Sequence, residues 1–183
     1  SINLALTMAT AKVKVLLIDA DLRRPSIHKK LKIDNSTGLS RFIVGFETMS
    51  DALKREVFPN LDVMTSGPVP PNPSELLGSE NMRIFLQKAS DYYDYIIIDT
   101  PPVNIVTDVA VMADCISGVL LVTSYGNTTF EDVKKATGFG DEGAKLVTDL
   151  ANSEGVTFSQ AENTVKTAYL AGYLADKYDV TDA

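Results

Sequence analysis

The stretch KVLLIDADLRRP, residues 14–25, sets four aliphatic residues directly ahead of two aspartates and two arginines. An uninterrupted apolar run of this kind reads as a strand buried on both faces, as in a parallel sheet covered by helices. Two carboxylates and two guanidinium groups have no place inside such a strand, so the strand is predicted to stop at Asp19. A second run, YDYIIID at residues 93–99, closes on aspartate in the same way.

Working outward, LDVMTSG (61–67) and GVLLVTS (118–124) read as two further strands. Helices are predicted between them. Ile2, Leu4, Leu6 and Met8 mark one that ends near Ala11, and RPSIHKKLKI (24–33) reads as a loop or short helix. TGLSRFIVG (37–45) and MSDALKREV (49–57) read as short helices, and SENMRIFLQKASDYY (79–93) as a longer one. TDVAVMADC (107–115) is expected to be helical, and TTFEDVKKA (128–136) starts a helix with Thr or Asp available as its cap. Strands alternating with helices predict an α/β fold in which the four apolar runs form one parallel sheet flanked by helices. Ligands of such sheets bind at the carboxyl ends of the strands, where Asp19, Asp21 and Asp99 fall. One Asp after a strand is commonly a helix cap or turn residue. Two aliphatic runs that both close on Asp match the Walker B pattern, whose carboxylate holds Mg2+ beside nucleotide phosphates. In an extended chain Asp21 would face the same side as Asp19, so the two could share one ion.

The chain of 183 residues suits one core, with 45% hydrophobic and 22% charged residues. A formal charge of −7 argues against a broad basic face for nucleic acid, though not against a local basic patch. The single cysteine, Cys115, lies in an apolar stretch and is expected to be a buried thiol in a reducing compartment. No apolar run approaches the roughly 18 residues of a membrane span, and SINLALTMATAK lacks the basic region of a secretory signal. His28, the only histidine, lies among lysines and is expected on a solvated surface.

VLLIDADLRRPSIHKKL (15–31), VMTSGPVPPNPSELLGS (63–79) and YDYIIIDTPPVNIVTDV (93–109) together resemble the bacterial tyrosine kinases of capsule and exopolysaccharide export, relatives of the ParA and MinD ATPases. The resemblance runs from about Ser1 to about Lys135. It implies a P-loop NTPase-like three-layer sandwich over residues 1–135, and a kinase that binds ATP and Mg2+ and phosphorylates tyrosines in trans within a ring. It also implies a cytoplasmic location at the inner face of the membrane, through a membrane adaptor of the polysaccharide co-polymerase type. Asp19 and Asp21 match the Walker A′ acids, one assisting the hydroxyl nucleophile and Asp21 helping to hold Mg2+. Asp99 matches the Walker B acid and is the second metal ligand, while Arg23 and Arg24 match a basic pair that serves phosphate charge or subunit contacts. On this reading Asp19 and Asp21 are present for chemistry and add nothing to stability. The proline-rich segment becomes a shaped loop that leads into a helix capped by Ser74, instead of a merely rigid surface loop.

The sequence departs from that pattern at both ends. A P-loop kinase carries G-x-x-x-x-G-K-[ST], whose backbone N–H groups, lysine and hydroxyl hold phosphates and Mg2+. No Gly-Lys-Ser or Gly-Lys-Thr occurs here, and Ser1-Ile2-Asn3 falls inside the helix that follows the loop in the family. The fold is therefore expected to be incomplete at its N-terminus, and the chain alone inactive or impaired. In TGFGDEGAKLVTDLAN (137–152) glycines interrupt a helix, each at a cost of about 1 kcal/mol. Asn152 falls where the family recognises adenine. Residues 136–183 are expected to form a divergent helical segment, with Val165, Ala168, Tyr169, Gly172 and Tyr173 at helical spacing. Tyr169, Tyr173 and Tyr178 would otherwise be a thin version of the family's tyrosine-rich tail. A non-catalytic binding or regulatory module of the same fold, and a ParA-like ATPase, are the alternatives.

Overall fold

In the computed structural model the described residues are 1–102, 110–124, 129–137 and 165–169. The chain separates into two units, Ser1–Cys115 and Ile116–Ala183. In the first, helix α1 (Ile2–Thr10) leads to strand β1 (Val15–Asp19), followed by the short helices α2 (Ile27–Leu31), α3 (Leu39–Ile43) and α4 (Met49–Ala52). Strands β2 (Leu53–Phe58) and β3 (Leu61–Met64), helices α5 (Pro73–Leu77) and α6 (Glu80–Ala89), strand β4 (Tyr95–Asp99) and a 3-10 turn (Ala110–Cys115) complete it.

The sheet order is β2-β3-β1-β4, with β1 parallel to both β3 and β4, and β2 antiparallel to β3. Residues Val15–Ile18 are fully excluded from solvent because helices cover both faces of β1. Leu16 and Ile18 point into a core with Leu39, Phe85, Leu86 and Met112. Val15 and Leu17 point into a second core with Ala5 and Ala9 of α1, Ile27 of α2 and Val63. Alternate side chains of one strand thus feed two cores, the signature of a three-layer sandwich. Each such aliphatic side chain contributes about 1.5–3 kcal/mol by leaving water. The fold class expected from the sequence is the one observed.

Two details differ. Residues 53–58 form β2 where a helix is expected over 49–57: only Met49–Ala52 is helical, started by a Thr48–Asp51 capping box. Leu-Lys-Arg-Glu favours helix, but Leu53 is buried in register with Met64 at the sheet, and tertiary pairing overrides propensity. A bulge between Lys54 and Phe58 puts Glu56 in the left-handed region (φ 49°), with its N–H held by Asp62 Oδ1 at 2.7 Å. The proline-rich helix α5 starts differently as well. Asn72 is its N-cap and Pro73 its first residue, so Ser74 lies inside the helix and does not cap it.

The second unit corrects the fourth strand. Strand β5 (Leu120–Ser124) pairs antiparallel with β6 (Val165–Tyr169) in a separate two-stranded sheet, and so does not extend the parallel one. Residues 165–169 are therefore strand where an amphipathic helix is expected. VKTAY alternates β-branched or aromatic residues with others, a period of two that competes with the helical spacing over so short a stretch. Helix α7 (Phe130–Thr137) starts as predicted: Thr129 and Asp132 form a reciprocal cap, with Thr129 N donating to Asp132 Oδ2 at 2.9 Å and Asp132 N to Thr129 Oγ1 at 3.2 Å. Gly138, Asp149, Asn152, Tyr173 and Tyr178 lie outside the described residues.

Candidate functional site

β1 and β4 run parallel and end together, with Asp19 and Asp99 as register partners. The sheet hydrogen bonding continues one step further, where Ala20 N donates to Asp99 O at 2.8 Å. The two acids that close the aliphatic runs therefore stand side by side at the carboxyl edge, as predicted.

Asp19 is fully buried. Its Oδ2 accepts the N–H groups of Ser26 (3.3 Å) and Ile27 (3.1 Å), so it anchors the start of α2 from the end of the neighbouring strand. Its Oδ1 is buried with no hydrogen-bond partner among the described residues. Burial is the main cause that raises its pKa from 3.8 to about 6, with the negative fields of Asp99 and Asp21 adding to it and the Ile27 and Ser26 N–H groups opposing. At neutral pH this is a buried carboxylate with one oxygen unpaired, an arrangement that costs free energy until a cation or a donor reaches it.

Asp21 plays a different part. Its Oδ1 accepts from Arg23 N (3.2 Å) and Arg24 N (2.9 Å), an Asx turn that bends the chain out of the strand. These two bonds are those of a turn-capping aspartate, the alternative to an Asp21 that adds nothing to stability. Turned away by that bend, Arg23 reaches the proline-rich segment, where its Nη2 donates to Ser74 Oγ at 3.1 Å. The two motifs that stood 51 residues apart in the chain thus meet at one edge of the sheet.

Sequence reasoning missed what holds the loop after β3. Asn35 uses both ends of its amide on Gly67: Oδ1 accepts from Gly67 N at 2.9 Å and Nδ2 donates to Gly67 O at 3.0 Å. Ser40 Oγ donates to Pro68 O at 2.7 Å, and Leu39 N and Ser40 N donate to the carbonyls of Thr65 and Ser66. Gly67 is left-handed (φ 73°), and a Cβ on Gly38 would meet Thr65 O and come 2.5 Å from Gly67 N. The one sequence signal was the turn-forming cluster DNSTG at residues 34–38.

Among the described residues no group of three or more His, Cys, Asp or Glu side chains is gathered as a metal site. A cation at this edge would rely on one or two carboxylates, which suits Mg2+ completed by phosphate oxygens and water. His28 is half-buried where a solvated surface position was expected: its Nδ1 is buried with no hydrogen-bond partner among the described residues. Cys115 is free and half-buried where full burial was expected, because it sits at the border of the first core. No helix among the described residues is long and apolar enough to cross a membrane.

Residues 1–134 match a family model described as an AAA domain. Curated relatives include the putative tyrosine-protein kinase CapB of Staphylococcus aureus, 42% identical over 75% of this chain and 60% of the relative. The tyrosine-protein kinase YwqD of Bacillus subtilis is 42% identical over 73% of this chain and 56% of its own length. The chain therefore spans somewhat more than half the length of these relatives. Among solved structures, the VpsO kinase domain superposes with a TM-score of 0.71 at 34% identity, covering 75% of this chain and 68% of that one. The kinase domain of Escherichia coli tyrosine kinase ETK gives a TM-score of 0.59 at 42% identity, over 62% of this chain and 44% of the other. With paired strand-end acids, a three-layer sandwich and these relatives, the chain belongs to the AAA-domain family, among the homologues of the bacterial tyrosine-protein kinases.

Proposed function

We propose that this chain carries the strand-edge acids of an ATP-dependent protein-tyrosine autokinase of capsule or exopolysaccharide export. The observation that supports it best is Asp19, buried beside Asp99 with one carboxylate oxygen unpaired. Asp99 with Asp19 or Asp21 would hold Mg2+, which supplies charge neutralisation for the phosphates of ATP when bound. Of this chain's own residues, Asp19 fits the role of accepting a proton from the attacking tyrosine hydroxyl. Its pKa of about 6 leaves it ionised at neutral pH yet closer to that pH than an ordinary carboxylate. Asp21 positions the Arg23–Arg24 turn, and Arg23 positions the proline-rich segment. In this reading Asn152 contacts adenine, the protein works as a homo-oligomer, and a membrane adaptor of the polysaccharide co-polymerase type recruits it to the inner face of the membrane.

Because the sequence holds no Gly-Lys-Ser or Gly-Lys-Thr, the chain by itself should bind Mg-ATP only in the millimolar range or weaker, roughly −4 kcal/mol. Calorimetry that gave micromolar affinity would mean that another segment cradles the phosphates. Joined in frame to a G-x-x-x-x-G-K-T loop, the chain should autophosphorylate on tyrosine, and Asp99→Asn should abolish the phosphotyrosine signal on a blot. A loop-bearing protein that binds Mg-ATP but stays unphosphorylated would favour the non-catalytic module.

A further inference from the structure

A cleft of about 990 Å3 lies at the end of the sheet where β1, β3 and β4 start, opposite the strand-edge acids, and none of the chemistry above uses it. One wall is a single face of α6, formed by Asn81, Ile84, Phe85, Lys88 and Ala89, and the other is the edge strand β2 through Leu53, Arg55 and Glu56. A stripe that follows the helix from residue 81 to 89 makes the cleft a groove about 12 Å long. Its two ends differ. Towards the start of α6, Phe42 meets Phe85 edge to face with ring centres 5.1 Å apart, and Met49 adds to the apolar lining. Asn81 Nδ2 donates to Ile43 O at 2.8 Å and ties that end together. The other end carries Lys14, Arg55 and Lys88. There Lys14 O accepts the Asp94 and Tyr95 N–H groups, and Arg55 is near enough to Tyr93 for its charge to act on the phenol. No ion pair among the described residues engages any of these three cations, whereas Arg41, Lys54 and Arg83 each have an acidic partner. Glu56 and Asp62 also line the groove, and both oxygens of Asp62 are taken, by Glu56 N and by Tyr93 OH. Three cations against two carboxylates leave one positive charge in the groove, in a chain whose own net charge is −7.

One surplus positive charge at one end and an apolar lining at the other fit an elongated ligand with a singly charged head. We propose that this groove binds a medium-chain monocarboxylate, with decanoate, whose extended chain has the length of the groove, as the best fit. Arg55 and Lys88 would take the carboxylate through charge-assisted hydrogen bonds, and the chain would lie over Ile84 and Phe85 towards Phe42 and Met49. Ile84 is 38% exposed, so a chain laid there removes apolar surface from water that the fold itself leaves uncovered. The Asn81 and Tyr93 bonds hold the two ends before any ligand arrives, which lowers the cost of ordering the site. A doubly charged head would leave the groove with an excess of negative charge. No residue of the strand edge is involved, so failure of the kinase reading leaves this site standing, and the reverse.

The test is an amide-resolved NMR titration of the full chain with hexanoate, octanoate, decanoate and dodecanoate, and with 1-octanol and octyl phosphate, all below micelle-forming concentrations. Saturable shifts confined to residues 42–56 and 81–93 are expected. Affinity should rise about fourfold for each added methylene as far as decanoate and level off at dodecanoate, where the chain outruns the groove. Octanoate should bind about tenfold or more tighter than 1-octanol and at least as tightly as octyl phosphate, because only the single charge is matched. The double change Arg55→Gln, Lys88→Gln should erase the advantage of octanoate over 1-octanol while the spectrum stays folded. Ile84→Glu, at an exposed position of α6, should weaken decanoate binding about tenfold or more, which covers a double variant that fails to fold. Shifts that do not saturate, affinity that keeps climbing beyond decanoate, 1-octanol binding as well as octanoate, octyl phosphate binding better, or variants that bind undiminished would each overturn the assignment.

Discussion

Replacing Asp19 with Asn should stabilise the protein at neutral pH and lose that advantage in acid. Asp19 has a folded pKa of about 6 against 3.8 for the free side chain, so the folded state binds its proton the more tightly. Stability then falls as pH rises from 3.8 towards 6 and levels off above, the reverse of a salt-bridged carboxylate. The full span is worth about 3 kcal/mol, of which about 2 kcal/mol is lost between pH 4.5 and 7.5. Asparagine stays neutral throughout and can still accept the Ser26 and Ile27 N–H groups. It weakens those bonds and leaves its own amide without an acceptor, which together cost about 1–2 kcal/mol. The variant should therefore be more stable by about 1–2 kcal/mol at pH 7.5, and no more stable than the parent at pH 4.5. Thermal melts at the two pH values should show the difference in Tm moving by about 4–8 °C, taking about 2–4 °C per kcal/mol for a chain of this size. Other groups titrate in both proteins and cancel in the comparison. A difference that stays constant between the two pH values would refute the link between burial and the raised pKa.

Asp21→Ala should cost about 1 kcal/mol, because the Arg23 and Arg24 N–H groups lose their acceptor; chemical denaturation with an unchanged m-value checks it. Gly38→Ala should be among the most damaging small changes, at about 3 kcal/mol, since its Cβ meets backbone on two sides; a melting temperature close to that of the parent would contradict the close approach. Tyr93 OH donates to Asp62 Oδ2 at 2.6 Å, and burial, with that bond, holds the phenol well above its usual pKa. Tyr93→Phe should cost about 1 kcal/mol in a urea melt, and the parent should show no phenolate absorbance from this residue at pH 10.5.

What could be read from the sequence followed the burial of each element. β1, β3 and β4 were legible as strands of a parallel sheet, because strands covered by helices must be apolar, and the acids that close β1 and β4 marked their ends. β2 was hidden, since an edge strand carries polar residues and Lys-Arg-Glu favours helix until Met64 and Val63 supply a partner. That β5 pairs with β6 was equally hidden, because antiparallel pairing across some forty residues leaves no local mark. The positions of Asp19 and Asp21 were legible but their division of labour was not. It depends on the chain bending after Ala20, which turns one carboxyl to the start of α2 and the other to a turn. The grip of Asn35 on Gly67 spans 32 residues and has no counterpart in any short motif.

The way Asp19 anchors α2 also bears on ion selectivity. One of its oxygens is committed to two backbone N–H groups, so only the other is available to a ligand. A cation held there through both oxygens would have to break the anchor. Calcium commonly takes carboxylates in that two-oxygen manner and favours six to eight ligands, whereas magnesium keeps its waters and accepts a single oxygen from each acid. Discrimination between the two ions would then arise from a helix's need for an acceptor at its first turn, without any residue dedicated to the choice.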